Sequence, residues 1–151
     1  METFKVGIIG AGHIAEKMAW TLTQMGGVEP YAVASRSIDK ARYFSDKYGF
    51  RKAYGSYEEL IEDPEVELIY IATPHSFHHR HVRMCLEKSK PVLCEKAFML
   101  NRAQAEEIEI SSRFSETDQA IFANTSFLIP GPDEYTEETV SFILTDNILT
   151  S

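Results

Sequence analysis

The string Gly10-Ala11-Gly12-His13-Ile14-Ala15 has the G-x-G-x-x-A spacing of a phosphate-binding turn. Each residue type in it has a use. Gly10 permits a tight turn, and Gly12 lets the backbone come close to a pyrophosphate. Ala15 allows a helix to pack closely on a strand, while the helix N-terminus offers free N–H groups and a positive dipole end. Ala11, His13 and Ile14 fill the variable positions and line the same turn. A Gly-rich turn without a ligand is the plain alternative. About 20 residues on, an Asp or Glu would hold a ribose 2′-hydroxyl. Here the chain has Ala34-Ser35-Arg36-Ser37, with no acid before Asp39. A small hydroxyl and a guanidinium suit a 2′-phosphate, with Lys40 as a third contact. This favours NADP over NAD; a solvated Arg at a helix start is the alternative.

Two other groups of reactive residues read as structural. His75, His78, His79 and His81 cluster at a helix start without an evident supporting carboxylate or thiolate, and no metal site is expected. Cys85 and Cys94 lack the spacing of a metal knuckle or redox pair and read as small buried residues.

The elements that must position these residues alternate regularly. Residues 4–9 read as a buried strand. Ile14, Met18, Leu22 and Met25 recur at helical spacing, giving a helix over 14–25 that stops at Gly26-Gly27. A strand over 31–34 follows, then a helix over 38–48 between a Ser37 cap and Gly49. Residues 52–54 form a short strand. Ser56 with Glu59 has capping-box spacing and opens a helix to about residue 62. Strands over 68–72 and 91–94 flank a helix over 78–88, and a further helix covers 103–113. Residues 120–123 suit a sixth strand. Alternation of this kind gives a doubly wound, mostly parallel α/β sheet with helices on both faces.

The 151 residues suit one domain plus a tail. Residues 1–113 carry all 15 Lys and Arg against 16 acids, whereas residues 114–151 carry seven acids and no Lys or Arg. The rhythm of elements also fails after residue 124, where Pro130-Gly131-Pro132 and an acidic run precede strand-like residues 140–145. The expectation is a dinucleotide-binding domain over 1–124 and an acidic tail over 125–151, holding either a lone extra strand or partly ordered chain. Such a strand, if unpaired, would seek a second copy of the chain. The net charge of −8 argues against nucleic acid and anionic membranes as partners. With no long apolar run, no signal-like start and two thiols, the chain is expected to be cytoplasmic.

The Gly turn, Ala34-Ser35-Arg36, Lys52-Ala53-Tyr54-Gly55-Ser56-Tyr57, Thr73-Pro74 with His78, and Cys94-Glu95-Lys96 occur in the order seen in the Gfo/Idh/MocA oxidoreductases. The chain resembles that family over residues 4–124, and its dihydrodiol and xylose dehydrogenase branch in particular. The resemblance implies a Rossmann NAD(P)-binding fold and hydride transfer between a nicotinamide dinucleotide and a secondary alcohol or carbonyl of a sugar or cyclic diol. It implies that Ala72, Thr73, Pro74, His75 and His78 lie along the cofactor, with Glu95 beside it. Lys96 matches the family's catalytic lysine, whose ammonium stabilises developing alkoxide charge.

Two departures stand out. Ala97 replaces the family's proline after the lysine, so a trans peptide is expected there. The family's substrate domain, which supplies an acid/base histidine, has no counterpart after Pro130, and all five histidines lie at or before residue 81. The expectation is a cofactor-binding half that turns over little alone, residues 125–151 being an alternative or frame-shifted end. Alternatives are a small reductase using His78 or Lys96 as acid/base, and a non-catalytic NADP(H)-binding sensor or interaction domain.

Overall fold

A computed structural model describes residues 3–96, 99–113, 121–130 and 135–144, with side chains as far as Ile108. Strands β1 (Phe4–Ile9), β2 (Val28–Ala34), β3 (Lys52–Tyr54), β4 (Leu68–Ile71) and β5 (Val92–Cys94) are joined through helices α1 (His13–Gln24), α2 (Ile38–Tyr48), α3 (Tyr57–Glu62) and α4 (His78–Glu87). Helix α5 (Arg102–Arg113) precedes β6 (Ile121–Pro130) and β7 (Tyr135–Leu144). The sheet order is β3-β2-β1-β4-β5-β7-β6, with the first five strands parallel. This is the doubly wound, mostly parallel α/β sheet that the alternation predicts.

Local chemistry accounts for the element ends. Ser37 accepts from the Lys40 N–H to cap α2, and Gly49 closes that helix at φ +75°. Ser56 caps α3 by accepting from the Glu59 N–H. Strand β2 starts three residues earlier than expected. Pro30 disguises that start, because it cannot donate to a ladder, and the β1–β2 register shifts between Val6 and Gly7, beside Pro30. Buried side chains divide between the two faces of the sheet. Val6, Ile8 and Val33 pack with Ala15, Ala19 and Leu22 of α1 and Phe44 of α2. Ile69, Ile71 and Val92 pack with Leu60, Val82 and Ile108 from α3, α4 and α5.

The C-terminal part departs from expectation in two ways. β6 runs past residue 123, where the sixth strand was expected to end, as far as Pro130. β7 is neither a lone strand nor an unpaired one. It lies antiparallel between β5 and β6, with Val92 opposite Ile143 and Ile121 opposite Leu144. The place beside β5 that a parallel sixth strand would take is therefore held by β7. Among the described strands, the sheet edges are β3 and β6.

Candidate functional site

The loops that follow the parallel strands gather at one edge of the sheet, where open α/β folds bind ligands. The β1–α1 turn is the centre of that edge. Gly10 has φ +96°, and a Cβ there would lie 2.9 Å from the carbonyl oxygen of Ala72. Its N–H donates to Ala34 O, so the turn is clasped between the ends of β2 and β4. Only glycine meets both demands. Gly12 differs: it occupies the N-cap of α1 with no side-chain cap, and a Cβ there would meet nothing within 4 Å. The backbone at Gly12 is thus open to a close-approaching group beside uncapped N–H groups, which fits a pyrophosphate.

Ala11 and Ala15 are buried, while His13 and Ile14 are exposed at the start of α1. The His13 ring lies 3.5 Å from Glu16 on the surface.

At the end of β2, Ser35 is only 7% exposed, and its Oγ accepts from the Ser37 N–H. The hydroxyl therefore shapes the loop. Arg36 and Lys40 are exposed, one in the loop and one in the first turn of α2.

Beyond β4, Thr73 is held twice. His78 Nε2 donates to Thr73 O at 2.8 Å, and His81 Nδ1 lies 2.8 Å from Thr73 Oγ1. Both imidazoles are buried. The sequence placed His78 along a cofactor; the fold gives it 1% exposure behind the turn, where it positions Thr73. Burial drives the His81 pKa down to about 4, helped by the charges of Arg80 and His78, so this ring is neutral near pH 7. Its faces and edges are occupied by Phe77, stacked at 5.9 Å, and Tyr57, edge-on at 4.9 Å. Pro74 and His75 are exposed in a short 3₁₀ turn over His75–Phe77, with Ala72 half-buried before them. His79 faces Glu107 of α5. Among the described residues no three His, Cys, Asp or Glu side chains converge as metal ligands.

Beyond β5, Glu95 is half-buried and Lys96 exposed. The Tyr70 hydroxyl donates to Glu95 Oε1, and the Lys96 N–H donates to Glu95 Oε2 at 3.3 Å. Tyr70, 2% exposed on β4, thereby fixes the carboxylate next to Lys96. Ala97 lies outside the described residues. Both cysteines are free and buried; desolvation pushes the Cys85 thiol up to about 12 and the Cys94 thiol well above its usual range.

The sequence reading names His81 and Tyr57 without giving them a place at this edge, and it leaves out Tyr70. His81 stands three residues after His78 on the same helix face, a spacing compatible with holding one turn. Tyr70 follows from register, since Leu93 pairs with it and Glu95 lies two residues on, on the same face.

Comparison with known proteins matches the chain to a redox family. Residues 4–117 match the GFO_IDH_MocA family, described as an oxidoreductase family with an NAD-binding Rossmann fold. Trans-1,2-dihydrobenzene-1,2-diol dehydrogenase of Mus musculus is 43% identical over 109 residues, covering 71% of this chain and 33% of that protein. The enzyme of the same name from Xenopus tropicalis is 39% identical over 111 residues, covering 72% and 34%. KijD10, a 3-ketoreductase from Actinomadura kijaniata solved with NADP, superposes with a TM-score of 0.70 at 30% identity, covering 74% of this chain and 36% of that one. The chain spans about a third of the length of these relatives. No helix among the described residues is long and apolar enough to cross a membrane. The chain belongs to the GFO_IDH_MocA oxidoreductase family, and its matched residues form the NAD-binding Rossmann fold of that family.

Proposed function

We propose that this chain is the NADP(H)-binding part of an oxidoreductase acting on a secondary alcohol or carbonyl of a sugar or cyclic diol. The observation that carries the reading is the contrast in one turn: Gly10 is closed against Ala72, whereas Gly12 is open to an approaching group. When bound, a nicotinamide dinucleotide supplies hydride chemistry. Ala11, Gly12, His13 and Ile14 would hold its pyrophosphate, and Ser35, Arg36 and Lys40 its ribose 2′-phosphate. Ala72, Thr73, Pro74, His75 and Glu95 would line the remainder, with His78 supporting Thr73 from behind. Lys96 would donate to the reacting oxygen and stabilise developing negative charge.

The substrate class rests on the family and on the dihydrodiol dehydrogenases and the ketoreductase among the relatives. Positioning and proton transfer supply much of such a rate. His78 and His81 are buried and engaged with Thr73. The 151 residues alone are therefore read as binding cofactor with little turnover. The buried free thiols favour a cytoplasmic setting. Association with a second copy is read as running through the β6 edge, since β7 is paired on both sides. The test is NADPH fluorescence on titration with the chain and with Gly12→Val. Enhanced emission in the wild type that vanishes in the variant supports the reading; no change with the wild type overturns it.

A further inference from the structure

The loops after β2 and β3 are built against each other, and they bring Tyr57 to Arg36. Ala34 pairs with Tyr54 at the ends of the two parallel strands, and the Ser35 N–H donates to Tyr54 O at 3.1 Å. Gly55 continues the approach: a Cβ there would stand 3.3 Å from Ile38 Cβ at the start of α2, tighter than ordinary packing. Arg36 lies two residues before Ile38, and Tyr57 two residues after Gly55. The Ser56 cap fixes Tyr57 as the first residue of α3. Tyr57 is half-buried, with its ring edge-on to His81 at 4.9 Å and 75°, and His81 is tied to Thr73. Burial raises the phenol pKa, and the Arg36 guanidinium opposes that rise by charge and hydrogen bonding; Glu58 is the other charged group acting on it.

A guanidinium on an exposed stem loses much rotamer freedom when it grips a phosphate. A fixed phenol beside it reduces that cost, because part of the ordering is already done. We propose that Tyr57 is a positioning residue for cofactor choice: anchored on His81, it holds Arg36 in the orientation that receives a 2′-phosphate. Arg36, Tyr57, His81 and Thr73 then form one continuous support along the edge from the end of β2 to the end of β4. This inference rests on the NADP reading above.

The experiment is calorimetry of the full chain with NADP and with NAD, for wild type, Tyr57→Phe, Arg36→Ala and the double variant. Phenylalanine keeps the ring against His81 and removes only the hydroxyl. Tyr57→Phe is expected to weaken NADP by about three- to tenfold while changing NAD by less than about twofold. In the Arg36→Ala background the same substitution is expected to change neither affinity, the signature of action through Arg36. Unaltered NADP affinity in Tyr57→Phe, or equal weakening of both cofactors, overturns the proposal and leaves the NADP reading standing. An equal loss in the Arg36→Ala background also overturns it, since Tyr57 would then act directly. A wild-type chain with no NADP preference overturns both.

Discussion

Thr73 Oγ1 and His81 Nδ1 lie 2.8 Å apart inside the protein, so the hydroxyl at the end of β4 has its direction set by a neutral imidazole from α4. His78 holds the backbone of the same residue. The turn that follows β4 is thus locked from behind by two histidines before any ligand is considered.

That burial makes stability depend on pH in a defined direction. The folded-state pKa of His81, about 4, lies below the ordinary 6.5, so the unfolded chain takes the proton first as pH falls. The contribution is whole above pH 6.5 and is lost progressively down to pH 4. A shift of this size corresponds to roughly 3 kcal/mol. His81→Asn retains a partner for Thr73 and does not titrate. Urea unfolding at pH 7 and pH 4 should show a smaller acid loss for the variant; equal losses would contradict the assignment.

The two turn glycines should respond oppositely to a methyl group. Gly10→Ala forces an L side chain to φ +96° and against Ala72 O, and is expected to cost at least about 2 kcal/mol in denaturant unfolding. Gly12→Ala enters open space, so its stability cost is expected below about 1 kcal/mol. Its cofactor affinity should nonetheless fall at least about tenfold. Normal cofactor binding by Gly12→Ala would mean that no phosphate approaches there.

Asp63 offers a control remote from the turn. Its carboxylate, 3% exposed, accepts from Lys52 Nζ at 2.9 Å, the Tyr54 hydroxyl at 2.7 Å and the Glu65 N–H at 3.0 Å. Burial favours its neutral form, yet these donors together hold its pKa below the usual value. Asp63→Ala strands the phenol and the amide and should destabilise by roughly 2–4 kcal/mol. Cofactor affinity measured well below the melting temperature should be unchanged; a large loss would place this cluster in the site.

The residues that were legible in sequence are those whose signal is local. Ser37, Ser56 and Gly49 announce their caps, and Gly10 announces the turn because backbone φ and space dictate glycine there. What escaped depends on non-local pairing. Whether β6 or β7 lies beside β5 is decided by register across about 50 residues, and no single residue encodes it. The Tyr70–Glu95 bond needs the β4–β5 register, and the His81–Thr73 bond needs the approach of α4 to the β4 turn. Ser35 adds a contact that residue type alone does not announce: its Oγ accepts from the Ser37 N–H, so the same hydroxyl also shapes the loop.

On the proposed function, Arg36, just after β2, makes this chain bind NADP(H) in preference to NAD(H). The Gly10–Gly12 turn treats both cofactors alike, because the pyrophosphate is common to them. On the proposed reading, discrimination comes from Arg36 and Lys40, and a hydrogen bond to a charged group is worth roughly 1.5–3 kcal/mol. Calorimetry with both cofactors, on wild type and Arg36→Ala, should therefore give NADP at least about tenfold tighter in the wild type. The variant should lose that preference while retaining its NAD affinity. Equal wild-type affinities for the two cofactors, or equal loss of both on Arg36→Ala, would contradict the account.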